Sequence, residues 1–324
     1  MNHVSSTLTV CRTPLQVFNA QEARERFHAQ DQNHLLLVYR KAVDLNQMRS
    51  VQDNKWRSTT VIRLTALSRT LYPQILRTRL PTQVDFFYTG LTSNLHAHLA
   101  NLYQKDAETR IIDDGNETLL LVDNLREGKH QAFSPSLGDR LLGRRTSQHY
   151  LDRALFFSQY DLPLPSGRVI HNDYRSFKSK VSQLKQTEET VFIGSNLVGN
   201  YIRNEEAFDD LIRSLRQRLT GPLTYILHRY ESMEKLGPIL KSHNITPIKL
   251  DTIVENYFHR EGFIPKNVAT FRSTAADTLS SLYSVKSIFY TIPQNLIISD
   301  EKRNELNNLY RYYENNKNNV VILK

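Results

Sequence analysis

One cysteine, Cys11, is all that this 324-residue chain carries. A single thiol excludes an internal disulfide and any zinc site built on a cysteine cluster. No apolar run approaches the ~18 residues that a membrane-spanning helix needs. The first residues have no basic stretch leading into an apolar one, so no secretion signal is expected and the cytoplasm is the expected place of work. The short phosphate-binding signatures are missing too. No G-x-G-x-x-G follows the first apolar strand and no G-x-x-x-x-G-K-[ST] occurs, which argues against a dinucleotide cofactor and a P-loop. G-x-S-x-G and H-E-x-x-H are absent as well. There is no D-x-D triplet to hold a divalent ion, so a site that needs no metal and no resident cofactor is expected.

What is present is a globular composition: 40% hydrophobic and 23% charged residues. The length suits two domains of ordinary size. Lys and Arg number 42 against 33 Asp and Glu, a formal charge of +9. That balance favours anionic partners such as sugar nucleotides, nucleic acid or an acidic membrane face. The densest basic clusters, Arg140 with Arg144 and Arg145, and Arg213 with Arg216 and Arg218, have helical or loop spacing rather than the run of a nucleic-acid tail. They read as solvated faces, and no nucleic-acid partner is expected.

The hydrophobic pattern alternates strands with helices. In the first half, strands are expected at residues 8–11, 34–39, 84–90 and 109–112, with helices at 14–29, 58–72 and 93–105. In the second half, strands are expected near 191–194, 223–227, 246–250, 268–271 and 287–290, with helices near 204–218, 231–241, 252–260 and 274–283. The Asn-rich stretch 314–319 reads as a loop before a last strand at 320–323. Such alternation implies parallel sheets covered by helices. Residues 172–189 are polar and lack a buried-strand pattern, which places a boundary between domains at 1–175 and 190–324. Two α/β halves facing each other across a cleft is the expected architecture.

Three constellations sit at strand ends, where open α/β folds place their chemistry. Asp113-Asp114-Gly115 follows a β-branched strand; a carboxylate there can remove a proton from an attacking hydroxyl. The plainer alternative is an Asp-Gly turn. His228 ends the strand at 223–227 and precedes Arg229 and a helix, a place suited to donating to a phosphate. Alone it also reads as a satisfied boundary histidine. Ser273-Thr274 precede an apolar helix and are expected either to cap it or, through the same free N–H groups and hydroxyls, to hold an anion.

In that order the three sites make the chain resemble the bacterial GT-B sialyltransferases, whose motifs are an acidic pair with Gly, then His-Pro, then Ser-Ser/Thr. The nearest likeness is to glycosyltransferase family 52, the lipooligosaccharide sialyltransferases, with polysialyltransferases more distant. Cys11-Arg12-Thr13-Pro14-Leu15-Gln16 looks like that family's first strand and loop, and Ile253-Val254-Glu255-Asn256-Tyr257 resembles its I-E-D-Y segment. Two departures stand out. Arg229 replaces the motif proline, and the loop Gly194-Ser195-Asn196-Leu197-Val198-Gly199 has no carboxylate where one branch places a base.

The resemblance implies an inverting, metal-independent GT-B transferase. It would move sialic acid, or a related nonulosonic acid, from its CMP donor to a glycan hydroxyl of lipopolysaccharide or capsule. On this likeness Asp113, with Asp114 second, is the general base. His228 assists departure of the CMP phosphate as acid or electrostatic clamp. Ser273 and Thr274 hold that phosphate, and Glu255 accepts from the cytidine. Gly194, Ser195 and Arg229 lie on the donor side, and Thr13, Pro14 and Gln16 on the acceptor side. The inner face of the membrane would be the place of contact, suited to the positive charge, and homodimerisation is left open. Two alternatives stand beside this reading: a GT-B transferase using another nucleotide sugar such as a UDP-hexose, and a non-catalytic basic protein that binds glycan or nucleic acid.

Overall fold

The computed structural model describes residues 4–65, 76, 78–90, 93–103, 106–128, 149–219, 221–316 and 320–323. The chain divides into two compact units, Met1–Ser176 and Phe177–Lys324.

The first unit runs β1 (Ser6–Cys11), α1 (Pro14–Phe27), β2 (Gln32–Tyr39), α2 (Ala42–Val51), β3 (Ser58–Arg63), β4 (Phe86–Thr89), α3 (Asn94–Tyr103), β5 (Glu108–Ile112), α4 (Asn116–Arg126), a 3-10 turn at His149–Asp152, β6 (Leu155–Ser158) and β7 (Val169–His171). Its seven strands pair in parallel in the order β3-β2-β1-β4-β5-β6-β7. The order reverses between β1 and β4. A parallel sheet is covered on both faces, and β1 accordingly buries five consecutive residues, Thr7 to Cys11.

Helix α5 (Arg175–Val181) leads into the second unit. There follow β8 (Lys185–Gln186), β9 (Thr190–Ile193), α6 (Glu205–Arg218), β10 (Leu223–Leu227), α7 (Met233–Ser242), β11 (Thr246–Lys249), α8 (Val254–Glu261), β12 (Phe263–Ile264), β13 (Asn267–Thr270), α9 (Ala275–Tyr283), β14 (Lys286–Tyr290), α10 (Asp300–Asn316) and β15 (Val320–Leu323). Six strands form a second parallel sheet in the order β11-β10-β9-β13-β14-β15, reversing between β9 and β13, while β8 and β12 pair separately. Aromatic packing fixes its centre. Phe192 stacks on Tyr225 with ring centroids 5.4 Å apart and touches Phe271 at 4.8 Å. Phe208 of α6 meets Tyr225 edge-on at 6.1 Å. Such pairs contribute ~0.5–1.5 kcal/mol each beyond their buried area.

The expected α/β architecture of two parallel-sheet halves is thus observed, with several local differences. Residues 58–63, expected to be helical, form β3, because Val61 and Ile62 register against Leu37 and Val38 of β2; residues 66–75 of that expected helix lie outside the described residues. The stretch 172–189 is less loop-like than its polarity suggests: Tyr174, Phe177 and Val181 are buried, and a two-turn helix starts inside it. Residues 314–316, expected in a loop, continue α10, which buries Leu306, Tyr310 and Tyr313 along one face. The strands β6 and β7 and the helices α2, α4 and α10 had no expectation attached to them.

Candidate active site

In open α/β sheets, ligands bind beyond the carboxyl ends of the strands where the strand order reverses. In the first unit those ends are β1 and β4, with β5 next to β4. Thr13 leaves β1 and caps α1, its hydroxyl accepting the amide of Gln16 at 3.2 Å, with Pro14 in the first turn. The same hydroxyl donates to Asp114 Oδ1 at 2.6 Å. The first-strand loop and the acidic motif are therefore brought together.

The two aspartates face different partners. Asp113 is 1% exposed. Its carboxylate accepts the Ser158 hydroxyl at 2.6 Å and the Gln159 amide at 2.7 Å, and its carbonyl accepts Asn19 Nδ2 at 3.1 Å. It ties β5, β6 and α1 together. Asp114 is half-buried beside Thr13, with its amide donating to Thr118 Oγ1 at 2.8 Å. Gly115 then turns the chain with φ 64° and opens α4.

Gln16 is wholly buried rather than displayed. Its Oε1 accepts the Arg12 amide at 2.6 Å, and it fills the space over Gly90, where a Cβ would lie 2.7 Å from the Gln16 side chain. Its Nε2 has no hydrogen-bond partner among the described residues. His96, also fully buried, bonds Ser93 through Nδ1 at 2.6 Å. Burial, and then the charge of Arg12, push its pKa down to about 3, so the ring is neutral.

In the second unit the strand ends are β9, β13 and β10. Thr270, at the end of β13, is a buried hydroxyl hub. Its Oγ1 donates to the Ile193 carbonyl at 2.9 Å, accepts the amides of Arg272 and Ser273 at 3.3 and 3.0 Å, and lies 3.2 Å from Ser195 Oγ. This locks Ser195 and the Ser273-Thr274 turn together. Thr274 occupies the position before α9, but its side chain makes no cap bond there. Thr274 therefore does not cap α9 through its side chain.

Arg272 comes from the same turn. Its guanidinium lies 4.3 Å over the ring of Tyr201 and 3.3 Å from Glu305, while its buried Nε has no hydrogen-bond partner among the described residues. Tyr201 in turn donates to Glu305. The arginine is held in place from α10 and the loop after β9.

His228 lies in the loop after β10, four residues ahead of Ser232, which caps α7 with its hydroxyl on the Lys235 amide. Burial comes first, then the charges of Arg229, Lys249 and Arg272, in pushing its pKa down to about 3. The ring is neutral near pH 7. The Tyr230 amide donates to its Nδ1 at 3.3 Å, which leaves the ring proton on Nε2. Glu255, 4% exposed in the first turn of α8, has its pKa pushed up to about 7 by burial, with the charge of Arg229 acting the other way. Within this unit, then, the charges of Arg229 and Arg272 both act on His228, and that of Arg229 also acts on Glu255.

Sequence reasoning missed the group that holds this loop. Glu231 is 6% exposed. It accepts the His228 amide at 2.7 Å through Oε2, and the Asn196 amide and Tyr225 hydroxyl at 3.2 Å each through Oε1. Lys249 closes the other side, donating to the carbonyls of His228, Arg229 and Glu231 at 2.8, 3.0 and 2.5 Å. Gly194, expected on the donor side, makes room for Glu231, since a Cβ there would lie 2.3 Å from Glu231 Oε2. Nothing local to residues 228–231 signals this, because all but one of the partners come from other elements.

The cluster Arg140, Arg144 and Arg145 lies outside the described residues. Arg213 is paired with Asp209 and Asp210 on α6, as a solvated helix face. Among the described residues, no group of three or more His, Cys, Asp or Glu side chains could hold a metal ion, and no helix is long and apolar enough to cross a membrane.

No family model and no curated protein matches this sequence. Solved structures do. The structure described as a UDP-N-acetylglucosamine 2-epimerase from Listeria monocytogenes is similar at TM-score 0.54 and 14% identity, covering 89% of this chain and 79% of that one. The S. aureus MnaA–UDP co-structure is similar at TM-score 0.53 and 13% identity, over 88% and 79% of the two chains. Arabidopsis thaliana UGT89C1 complexed with UDP-L-rhamnose is similar at TM-score 0.51 and 10% identity, over 90% and 80%. At such identities the likeness speaks for the fold: the chain has the two-Rossmann architecture of the GT-B type.

Proposed function

We propose that this chain is a GT-B glycosyltransferase that takes its sugar from a nucleoside diphosphate donor, a UDP-sugar in first place. The observation that carries this reading is the turn after β13. An arginine Nε with no hydrogen-bond partner among the described residues, the Ser273 and Thr274 hydroxyls and a helix start converge there at the strand-order reversal, a combination suited to a phosphate. Three cations around a neutral imidazole suit a diphosphate better than a single phosphate. The three structural neighbours described above carry UDP or a UDP-sugar in their descriptions, which supports the same donor class.

In this reading Arg272, Ser273 and Thr274 hold the diphosphate. The amides of Arg272, Ser273, His228 and Asn196 are already taken by Thr270 and Glu231, so side chains and the first free amides of α9 do the binding. His228 Nε2–H serves as a neutral hydrogen-bond donor to the leaving oxygen rather than as an acid, since its ring carries no spare proton. Glu255 accepts from the ribose. Asp114 is the base rather than Asp113, because Asp113 is consumed by Ser158 and Gln159. An acceptor hydroxyl would give its proton to Asp114 as its oxygen bonds the anomeric carbon. The bond from that carbon to phosphate would break, its electron pair leaving with the nucleoside diphosphate and inverting the centre. A glycan acceptor handled in the cytoplasm, without a metal, completes the proposal.

A transfer from a CMP-nonulosonate is the second reading, favoured by the order of Asp113-Asp114-Gly115, His228 and Ser273-Thr274 along the strand ends. Titration with UDP, ADP and CMP distinguishes the two, because a ligand bound to the folded state raises the melting temperature by mass action. UDP stabilising more than CMP, followed by UDP release from UDP-sugars with acceptor present and EDTA added, is the expected result. CMP binding more tightly would move the assignment to the sialyltransferases. Conversion of a UDP-sugar without acceptor would move it to an epimerase, and silence from all three nucleotides would remove it.

A further inference from the structure

The loop carrying His228 is held between two opposite charges. On one side the Glu231 carboxylate collects donors from three places: the His228 amide, the Asn196 amide beyond β9 and the Tyr225 hydroxyl of β10. On the other side the Lys249 ammonium collects the carbonyls of His228, Arg229 and Glu231. A carboxylate has only acceptors and an ammonium only donors, so neither can be swapped for a neutral group of the same size without turning a hydrogen bond into a clash. Gly194 fits the same scheme, because its missing Cβ is the space that Glu231 occupies.

We propose that Glu231 and Lys249 are positioning residues that fix the His228 imidazole in one tautomer and one direction, Nε2–H presented to the donor phosphate. This rests on the donor-site reading above and adds to it the pair of residues that aim the donor group. The route runs through the backbone. Glu231 fixes the His228 amide and Lys249 fixes the His228 carbonyl, so both peptide planes beside the ring are pinned. The Tyr230 amide then reaches Nδ1 at 3.3 Å and leaves only Nε2 to carry the proton. The charged groups that face the ring are Arg229 and Lys249 from its own loop and the neighbouring strand β11, and Arg272 from the turn after β13.

The test reads the ring itself, by nitrogen- and carbon-detected NMR of the full chain, with H228Q used to assign the His228 signals. In the wild-type protein the ring is expected to stay neutral with the proton on Nε2 from pH 5 to 8. In E231Q the carboxamide must point an N–H group at one of its three donors, and the His228 ring is expected to show mixed tautomers. The His34 and His243 signals should stay as they were. K249M, which keeps the stem of an exposed side chain, should give the same spectral change, so a poorly folding E231Q leaves the test intact. If both variants keep the single Nε2–H tautomer, the positioning role is wrong whatever the ligand. UDP titration of the same proteins separates this from the donor reading. A weakening of at least tenfold in E231Q supports both. A changed ring in a protein whose wild-type form binds no nucleotide keeps the positioning role and discards the donor site.

Discussion

Thr13 and Asp114, 101 positions apart in the chain, share a 2.6 Å hydrogen bond at the strand-order reversal of the first sheet. The Thr13 hydroxyl also caps α1, so one side chain both starts the first helix and orients the half-buried aspartate. Its neighbour Asp113 is held by different groups, Ser158 and Gln159. Two adjacent carboxylates with separate partners make a structural and a chemical role separable by mutation.

Asp113→Ala is expected to lower the melting temperature. It leaves the Ser158 hydroxyl and the Gln159 amide unsatisfied in the interior, at ~1–3 kcal/mol for each lost partner. Asp114→Asn should leave the melting temperature nearly unchanged and reduce turnover by ~10²–10⁴-fold, the usual share of a general base. Thermal denaturation beside a product assay checks both. Full turnover in Asp114→Asn, or an unshifted melting curve in Asp113→Ala, would reverse the assignment.

Gly90 and Gln16 should behave as a coupled pair. A methyl group at Gly90 would lie 2.7 Å from the Gln16 side chain, which is wholly buried and has nowhere to swing. Gly90→Ala is expected to cost ~1–3 kcal/mol by overpacking. Gln16→Ala alone should also destabilise, by opening a void and freeing the Arg12 amide. Together the two changes should cost less than their sum, and chemical denaturation of the four proteins measures that coupling. Simple additivity would show that the contact is not close.

Glu255 should give the protein an identifiable pH dependence. Its carboxyl is pushed up to about 7 in the folded state by burial, above its ordinary value in the unfolded chain. The folded state therefore binds the proton more tightly, and Glu255 lowers stability as pH rises from about 4.5 to about 7. His228 acts oppositely. With a folded pKa of about 3, it costs stability as pH falls below about 6.5. Glu255→Gln should remove the first slope and leave the second, making the variant more stable than wild type at pH 8 by up to ~3 kcal/mol, at 1.36 kcal/mol per pKa unit. Denaturant titrations from pH 5 to 8 read this directly. Parallel curves for the two proteins would show that Glu255 is ionised in the fold.

Thr270→Val should loosen the turn after β13 without changing its volume. The hydroxyl that accepts the Arg272 and Ser273 amides disappears, and so does its bond to the Ile193 carbonyl. A loss of ~1–3 kcal/mol in stability is expected, together with weaker UDP binding by calorimetry. Unchanged nucleotide affinity would mean that the turn is shaped by something other than Thr270.

The alternating pattern of apolar strands and amphipathic helices determined the architecture. The strand ends were legible as well: apolar runs such as Ile111-Ile112 and Val268-Ala269 ended in polar residues, whereas the order of the strands, and so the points where it reverses, came only from their pairing. That was enough to point to Asp113-Asp114, His228 and Ser273-Thr274, because strand ends follow from local periodicity. Three kinds of decision needed the tertiary structure. Residues 58–63 became a strand only because β2 offered a matching edge. The separate settings of Asp113 and Asp114 depended on Ser158, 45 positions from Asp113, and the hold on the His228 amide depended on Glu231, which also reaches Asn196 and Tyr225. The reason is common to all three. Backbone periodicity is written in neighbours along the chain, whereas burial, charge and hydrogen-bond partnership are set by residues that only the folded sheet brings within 3 Å.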